Sequence, residues 1–304
     1  MNTSHAATIR RLDYRPLAWT VDAVELHFAL DPQRTVVRNQ MHCRRQGAGP
    51  LVLMHEALTR VSLSVDGAPP AAEALRELEG RIEIDLPGRD SVEVVVVTEI
   101  NPAANTELSG LYQSADGLFT QCEAEGFRRI TCFPDRPDVM ARFTVTLEAR
   151  RADYPVLLSN GNRVDSGALP DGRHFARWED PFPKPCYLFA LVAADLVPLD
   201  KTIPTASGRE VLLQLWVQAG NLDRAGHAMD SLVNALRWDE QTFGLELDLD
   251  RYMVVAVGDF NMGAMENNGL NIFNSKLVLA SPETATDADF ERIESVIAHE
   301  YFDN

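Results

Sequence analysis

Apolar residues recur at every second position through most of the first two thirds of the chain. Val24, Leu26, Phe28 and Leu30 alternate with Glu25, His27 and Ala29, and Val61, Leu63 and Val65 alternate with serines ahead of the Asp66-Gly67 turn. Successive side chains of a strand point to opposite faces, so a period of two predicts strands with one face buried. Ile82, Ile84 and Leu86 run through Pro87-Gly88 into Val92, Val94 and Val96, which reads as a hairpin. The same pattern recurs around Asn160-Gly161, after the strand that carries Phe143, Val145 and Leu147. Together these segments predict a large antiparallel β domain.

The period changes beyond the loop that contains Pro181, Pro183 and Pro185. One more extended run, Val211 to Val217, precedes a stretch in which Met229, Leu232, Val233 and Leu236 share one helical face at i, i+3, i+4 and i+7. Tyr252 to Val257 reads as a buried strand, and a glycine-containing loop spans 258–269. Asp287 or Asp289 is placed to cap a final helix that runs through His299. At 304 residues the chain exceeds the size at which one hydrophobic core usually stops growing. The change of period therefore divides it into a β-rich unit over 1–195 and a second unit over 196–304.

Charge narrows the range of partners. With 28 basic and 45 acidic residues the net charge is −17, which repels phosphate backbones and anionic lipid alike. Neither nucleic acid nor a membrane surface is expected as a partner, and nothing in the pattern speaks to oligomeric state. Met1 to Arg11 hold no apolar core of signal-peptide length, and no apolar run reaches membrane-spanning length. Cys43, Cys122, Cys132 and Cys186 lack CxxC spacing, which suits buried free thiols in a reducing compartment. The expected location is the cytoplasm.

Candidate chemistry concentrates at the final helix, which ends His299-Glu300-Tyr301-Phe302-Asp303-Asn304 and carries Ile293, Val296 and Ile297 on an apolar face. In the HExxH zinc motif two imidazoles one helical turn apart meet the same ion, and the intervening Glu polarises the bound water. Asp303 stands here at the second histidine's position. A carboxylate changes the charge and softness of the ligand, and with them the selectivity for zinc. A His-Glu pair by itself says little; His55-Glu56 is such a pair with no motif around it.

Roughly thirty residues upstream lies Gly263-Ala264-Met265-Glu266-Asn267, a separation that a strand or loop and one helix can span. The two segments together resemble the aminopeptidase N family of zinc metallopeptidases, which remove single residues from peptide amino termini. A third segment, Thr120-Gln121-Cys122-Glu123-Ala124-Glu125-Gly126-Phe127-Arg128-Arg129-Ile130-Thr131, resembles the bacterial branch's contribution to the amine-binding end of the pocket. The Gly-Ala opening of the upstream segment, in place of Gly-Gly, sets the chain apart from the epoxide-hydrolysing relatives. The resemblance extends over essentially the whole chain.

That resemblance implies a mainly β N-terminal domain of sandwich- or saddle-like sheets, followed by the start of an α+β thermolysin-like catalytic domain that is truncated within its metal-binding helix. Glu123 and Glu266, with help from Gln121, are implied to bind the substrate's α-ammonium group, whose charge would otherwise be buried without compensation. The backbone of Gly263 and Ala264 is implied to hydrogen-bond an extended peptide. Met265 reads either as a pliable pocket wall or as core filler, and Asn267 either as a substrate contact or as a residue bonding its own turn.

Glu300 takes the role of general base by position in the motif, the alternative being a solvated helix glutamate. His299 is the first zinc ligand, with Asp303 in place of the expected His. The resemblance implies one zinc ion in a complete member, bound weakly or not at all by this chain, because the family's third ligand and intermediate-stabilising tyrosine fall beyond Asn304. Ile293, Val296 and Ile297 are accordingly expected to be exposed. The expected function is that of a zinc-dependent aminopeptidase, attacking peptides that have a free N-terminus with metal-activated water, and inactive as this chain alone. A non-catalytic module that binds peptide amino termini is the alternative, and a β-rich interaction surface a third reading.

Overall fold

The computed structural model describes residues 10–115 and 117–304, so the leader-free reading of the first residues lies, for 1–9, outside the described residues. Seven strands form the largest sheet, in the order β12 (Asn162–Ala168), β13 (Arg173–Lys184), β10 (Ala141–Arg150), β1 (Trp19–Ala29), β2 (Thr35–Arg45), β7 (Ser91–Ile100) and β4 (Thr59–Val65). Its neighbours are antiparallel except β1 and β10, which run parallel. The alternation seen in the sequence forms its inner face, where Val24, Leu26 and Phe28 meet Val94, Val96, Phe143 and Val145 in one buried cluster. Phe127 fills this core edge-on to Phe133 and Phe189, at ring separations of 5.0 and 5.3 Å.

Two smaller sheets complete the first unit. One joins β3 (Leu51–Met54), β6 (Arg81–Ile84) and β5 (Leu75–Leu78); the other joins β11 (Val156–Ser159), β14 (Leu191–Ala194), β9 (Gly117–Gln121) and β8 (Gly110–Ser114). The mainly β first unit is borne out, but neither expected hairpin forms. Pro87-Gly88 carries the chain from β6 to β7, and Asn160-Gly161 from β11 to β12, each time out of one sheet and into another. Alternation fixes which face of a strand is buried, not which strand it pairs with, and a glycine turn serves a change of sheet as well as a reversal. At Gly161, where φ is +83°, a Cβ would lie 2.1 Å from the Glu179 carbonyl oxygen. Val61 departs from its alternation because the register of β4 against β7 slips between Arg60 and Ser62, leaving Val61 55% exposed.

Sheet membership changes between Ala194 and Val197. The following five-stranded sheet has the order β15 (Val197–Pro204), β16 (Glu210–Val217), β17 (Arg251–Val257), β19 (Leu270–Asn274) and β18 (Ala264–Met265). Its middle pairings are parallel and its outer ones antiparallel. Helices α1 (Gly226–Phe243) and α2 (Asp287–Asp303) close a second core with it, in which Leu213, Leu215, Leu232, Leu236, Ile293 and Ile297 are buried.

Two expectations about α2 are corrected. Its N-cap is Thr286, whose hydroxyl accepts from the Asp289 amide at 3.3 Å while the Asp289 carboxylate accepts from the Thr286 amide at 2.9 Å. Asp289 is thus the third-position partner of a capping box and not the cap itself. The apolar face is also not exposed, because α1 covers it: Ile293 and Ile297 are buried and Val296 is packed against the same core. Exposed apolar groups near the end of α2 include Trp238, Phe243 and Phe302, which lie against one another. All four cysteines are free and buried, and no helix among the described residues is long and apolar enough to cross a membrane.

Candidate active site

Glu123 stands in the turn that follows β9, an inner and wholly buried strand held by β8 on one side and β14 on the other. The Gly126 amide closes the turn onto the Cys122 carbonyl at 2.8 Å. A Cβ on Gly126 would lie 2.4 Å from the Gln121 carbonyl oxygen, so the turn requires glycine there.

Glu266 comes from the other sheet. Ala264 and Met265 pair antiparallel with Phe273 and Ile272 of β19, and the Asn274 amide donates to the Gly263 carbonyl at 2.9 Å. Met265 is buried in the first core. Because β18 is an edge strand, one side of its backbone is left unpaired within the sheet, the geometry to which an extended peptide adds. Glu300 approaches from α2, with its residue buried and its backbone carbonyl 3.4 Å from the Tyr252 hydroxyl.

Glu123 and Glu300 each feel acidic neighbours. Glu123 is solvent-exposed, yet its carboxyl is raised above the ordinary value, by partial desolvation first and by Glu266 second. The Glu300 carboxyl is pushed up to about 7, by burial first and then by Glu266, Asp303 and Glu123. Tyr187, half-buried, is raised by desolvation and then by Glu266, Glu123 and Asp303. A place where neighbouring carboxylates raise the proton affinity of Glu123 and Glu300 is one where a cation is stabilised.

Gln121 and Asn267 flank the two carboxylates in sequence. Both are buried, and both amide atoms of each side chain lack a partner among the described residues. A buried polar group left unpaired costs about 1–3 kcal/mol, so these amides are held in an unfavourable state unless another molecule meets them. Asn267 closes its own turn through its backbone carbonyl, which accepts from the Leu270 amide at 2.8 Å and from Asn271 Nδ2 at 3.1 Å.

His299 is placed differently from Glu123. Its side chain is 70% exposed, with Nε2 3.4 Å from Asp303 Oδ2, and it lines a groove of about 540 Å³ between α1 and α2 that also takes in Trp238 and Phe302. Glu123 lines a separate cavity of about 450 Å³ together with Met54, Arg128 and Tyr187. As a donor set for zinc, His299 and Asp303 offer one imidazole and one carboxylate where a catalytic site needs a third protein ligand. Among the described residues no group of three or more His, Cys, Asp or Glu side chains is arranged to hold a metal ion. The residues present therefore do not make a zinc site by themselves. The His55-Glu56 pair lies apart, with Glu56 engaged by Arg129 at 2.6 Å.

Sequence reasoning missed three residues of this region. Tyr187 carries no pattern that marks it. Tyr252 and Asn271 do carry a signal, as polar groups in otherwise apolar buried strands. The Tyr252 hydroxyl donates to Asn271 Oδ1, and Asn271 Nδ2 to the Asn267 carbonyl, which links α2 to the loop that bears Glu266.

Comparisons with known proteins bear directly on this arrangement. The Peptidase M1 N-terminal domain matches residues 71–188, and the Peptidase family M1 domain matches residues 227–304. The aminopeptidase N of Escherichia coli is 57% identical over 297 residues, covering 97% of this chain and 34% of the relative. That of Caulobacter vibrioides is 52% identical over 306 residues, covering 100% of this chain and 35% of the relative. A crystal structure of Legionella pneumophila aminopeptidase A in complex with aspartic acid superposes with a TM-score of 0.90 at 34% identity, over 96% of this chain and 35% of that one. The chain thus spans about a third of the length of the curated relatives it matches.

Proposed function

Because this chain belongs to peptidase family M1, we propose that it supplies the amine-recognising side of a peptide aminopeptidase site. Glu123 and Glu266 take up the α-ammonium group of a peptide, and the unpartnered amides of Gln121 and Asn267 complete its hydrogen bonds. The peptide backbone extends along the open edge of β18 at Gly263 and Ala264. Glu300, assigned from its place in the motif, accepts a proton from water and passes it to the departing amine. The zinc implied by the family is offered two donors by this chain, His299 and Asp303, so amine capture and the Glu300 carboxylate carry the assignment.

The observation that carries this reading is the effect of Glu266 on Glu123, contributed by different sheets, together with the buried amides of Gln121 and Asn267, which lack partners among the described residues. Like charges near each other and unpaired amides are each unfavourable in the free protein; a peptide's amino end relieves both, its ammonium donating to carboxylate and amide oxygens and its carbonyl oxygen accepting from an amide nitrogen. The exchange of sheets between Ala194 and Val197 supports a domain boundary at 195/196. Four buried free thiols suit a cytoplasmic location, and the substrates are peptides with a free amino end.

The test is calorimetric titration with a short peptide and with its N-acetylated form. Binding of the free amine in preference to the acetyl form supports the reading; equal affinity, or none for either, overturns it. Asp303, a carboxylate where the motif carries a second imidazole, favours one alternative, a module that binds amino termini without cleaving. Release of free amino acid during the same incubation separates the two.

A further inference from the structure

Glu123 and Glu266 belong to separate sheets, and a grip on one small cation requires that their separation be fixed. The four-stranded sheet whose inner strand β9 leads into Glu123 also reaches the Glu266 loop at both ends of that loop. At the start of that loop stands Asp259. Here β8, paired to β9 with Ser114 opposite Gly117, donates the Ser114 hydroxyl to Asp259 Oδ2 at 3.0 Å and the Tyr112 hydroxyl to the Asp259 carbonyl at 3.3 Å. At the end of the loop stands Asn268, whose carbonyl accepts from Nδ2 of Asn160, directly after β11, at 2.9 Å.

Asn268 is held from a second side. Its Nδ2 donates to Asp180 Oδ2 at 2.9 Å, and the same carboxylate is paired with Lys184 at 2.9 Å, both of these side chains being almost wholly buried. The Lys184 ammonium also lies 4.0 Å from the Phe143 ring centroid. Asn160 is fixed in turn, accepting from the Ala190 amide at 2.8 Å and donating to the Leu188 carbonyl at 3.0 Å. A buried, fully paired charge does not shift without losing its partner, so this end of the loop is tied to the least compliant part of the first unit.

We propose that Ser114, Asn160, Asp180 and Asn268 are positioning residues that hold Glu266 at its working distance from Glu123, and thereby set the preference for a free amino end. The proposal rests on the amine-binding reading above. None of the four meets the ligand; each acts through the loop. Between the two ends β18 pairs with β19 and Asn267 closes its own turn, so the ties at Asp259 and Asn268 set where this paired segment, and Glu266 with it, lies against the four-stranded sheet.

The double variant Ser114→Ala/Asn268→Ala removes a side-chain bond at each end while leaving the Asp180–Lys184 pair intact. Two readouts go beyond general stability. The first is the Glu123 carboxyl titration midpoint by NMR, expected to fall toward the ordinary value as Glu266 withdraws. The second is the ratio of affinities for a free-amine peptide and its acetylated form, expected to fall at least about tenfold, since misplacements near 1 Å are felt at that scale.

An unchanged Glu123 midpoint overturns the proposal, whether or not the affinity ratio moves, because Glu266 would not have changed place. A lowered midpoint with an unchanged affinity ratio, where the parent chain does prefer the free amine, overturns it as well. A lowered midpoint in a protein whose parent shows no amine preference supports the positioning and overturns the amine reading instead. Should the double variant not fold, Asn268→Ala alone decides on the same two readouts.

Discussion

Glu266 raises the proton affinity of Glu123 across a boundary between two sheets, although the chain reaches one from the end of β9 and the other from the edge strand β18. An acid raised by a second acid in this way has an unfavourable neighbour in the free protein, and a bound cation converts the liability into attraction.

Glu266→Gln should therefore lower the Glu123 titration midpoint and weaken free-amine binding together. A hydrogen bond to a charged group contributes about 1.5–3 kcal/mol, which corresponds to roughly a 10- to 100-fold loss of affinity. The acetylated peptide should be almost unaffected. Carboxyl NMR and calorimetry on the same variant check both expectations.

Glu300 makes stability depend on pH. Its folded-state value of about 7 lies above the ordinary 4.5, so the folded chain binds this proton more tightly than the unfolded chain does. The resulting stabilisation is fully present below the ordinary value and is lost as pH rises through about 7. In metal-free buffer, Glu300→Gln should thus gain on the parent chain at about pH 8 relative to about pH 5, by on the order of 1–2 kcal/mol after allowance for solvent screening. Urea midpoints at the two pH values give the comparison.

Ile297 seats α2 against α1 and the five-stranded sheet, with 1% of its surface exposed. Ile297→Ala should cost about 2–5 kcal/mol of unfolding free energy, the range for a buried aliphatic truncated to Ala. Denaturant unfolding measures it; a change within a few tenths of a kcal/mol would mean that the helix face is not packed.

Burial makes the thiols unreactive. Cys43 and Cys132 are pushed up to about 12, chiefly by desolvation, and Cys122 and Cys186 are also raised by burial. Mass spectrometry after alkylation near pH 8 should find no adduct on the native chain and four on the denatured one.

What the sequence disclosed follows from what periodicity can encode. The alternation through Val24, Leu26 and Phe28 states a buried face, and that face is buried. Partner choice is a tertiary matter, so Pro87-Gly88 and Asn160-Gly161 read as hairpins although each joins two sheets. The helical stripe at Ile293 and Ile297 was legible as apolar, but what covers it was not, because α1 lies far away along the chain. The motifs named Glu123, Glu266 and Glu300 as candidates. No local pattern could reveal that the amides of Gln121 and Asn267 lack partners, or that Asn268 is tied to Asp180. Those are relations between distant segments.

The most direct measurement is the Glu123 carboxyl titration followed by NMR in the free chain and again with saturating free-amine peptide. Capture of an ammonium group by Glu123 and Glu266 predicts a raised midpoint in the free chain that drops when the peptide binds, and no drop with the acetylated peptide. A midpoint that stays where it was with the amine present would contradict the account.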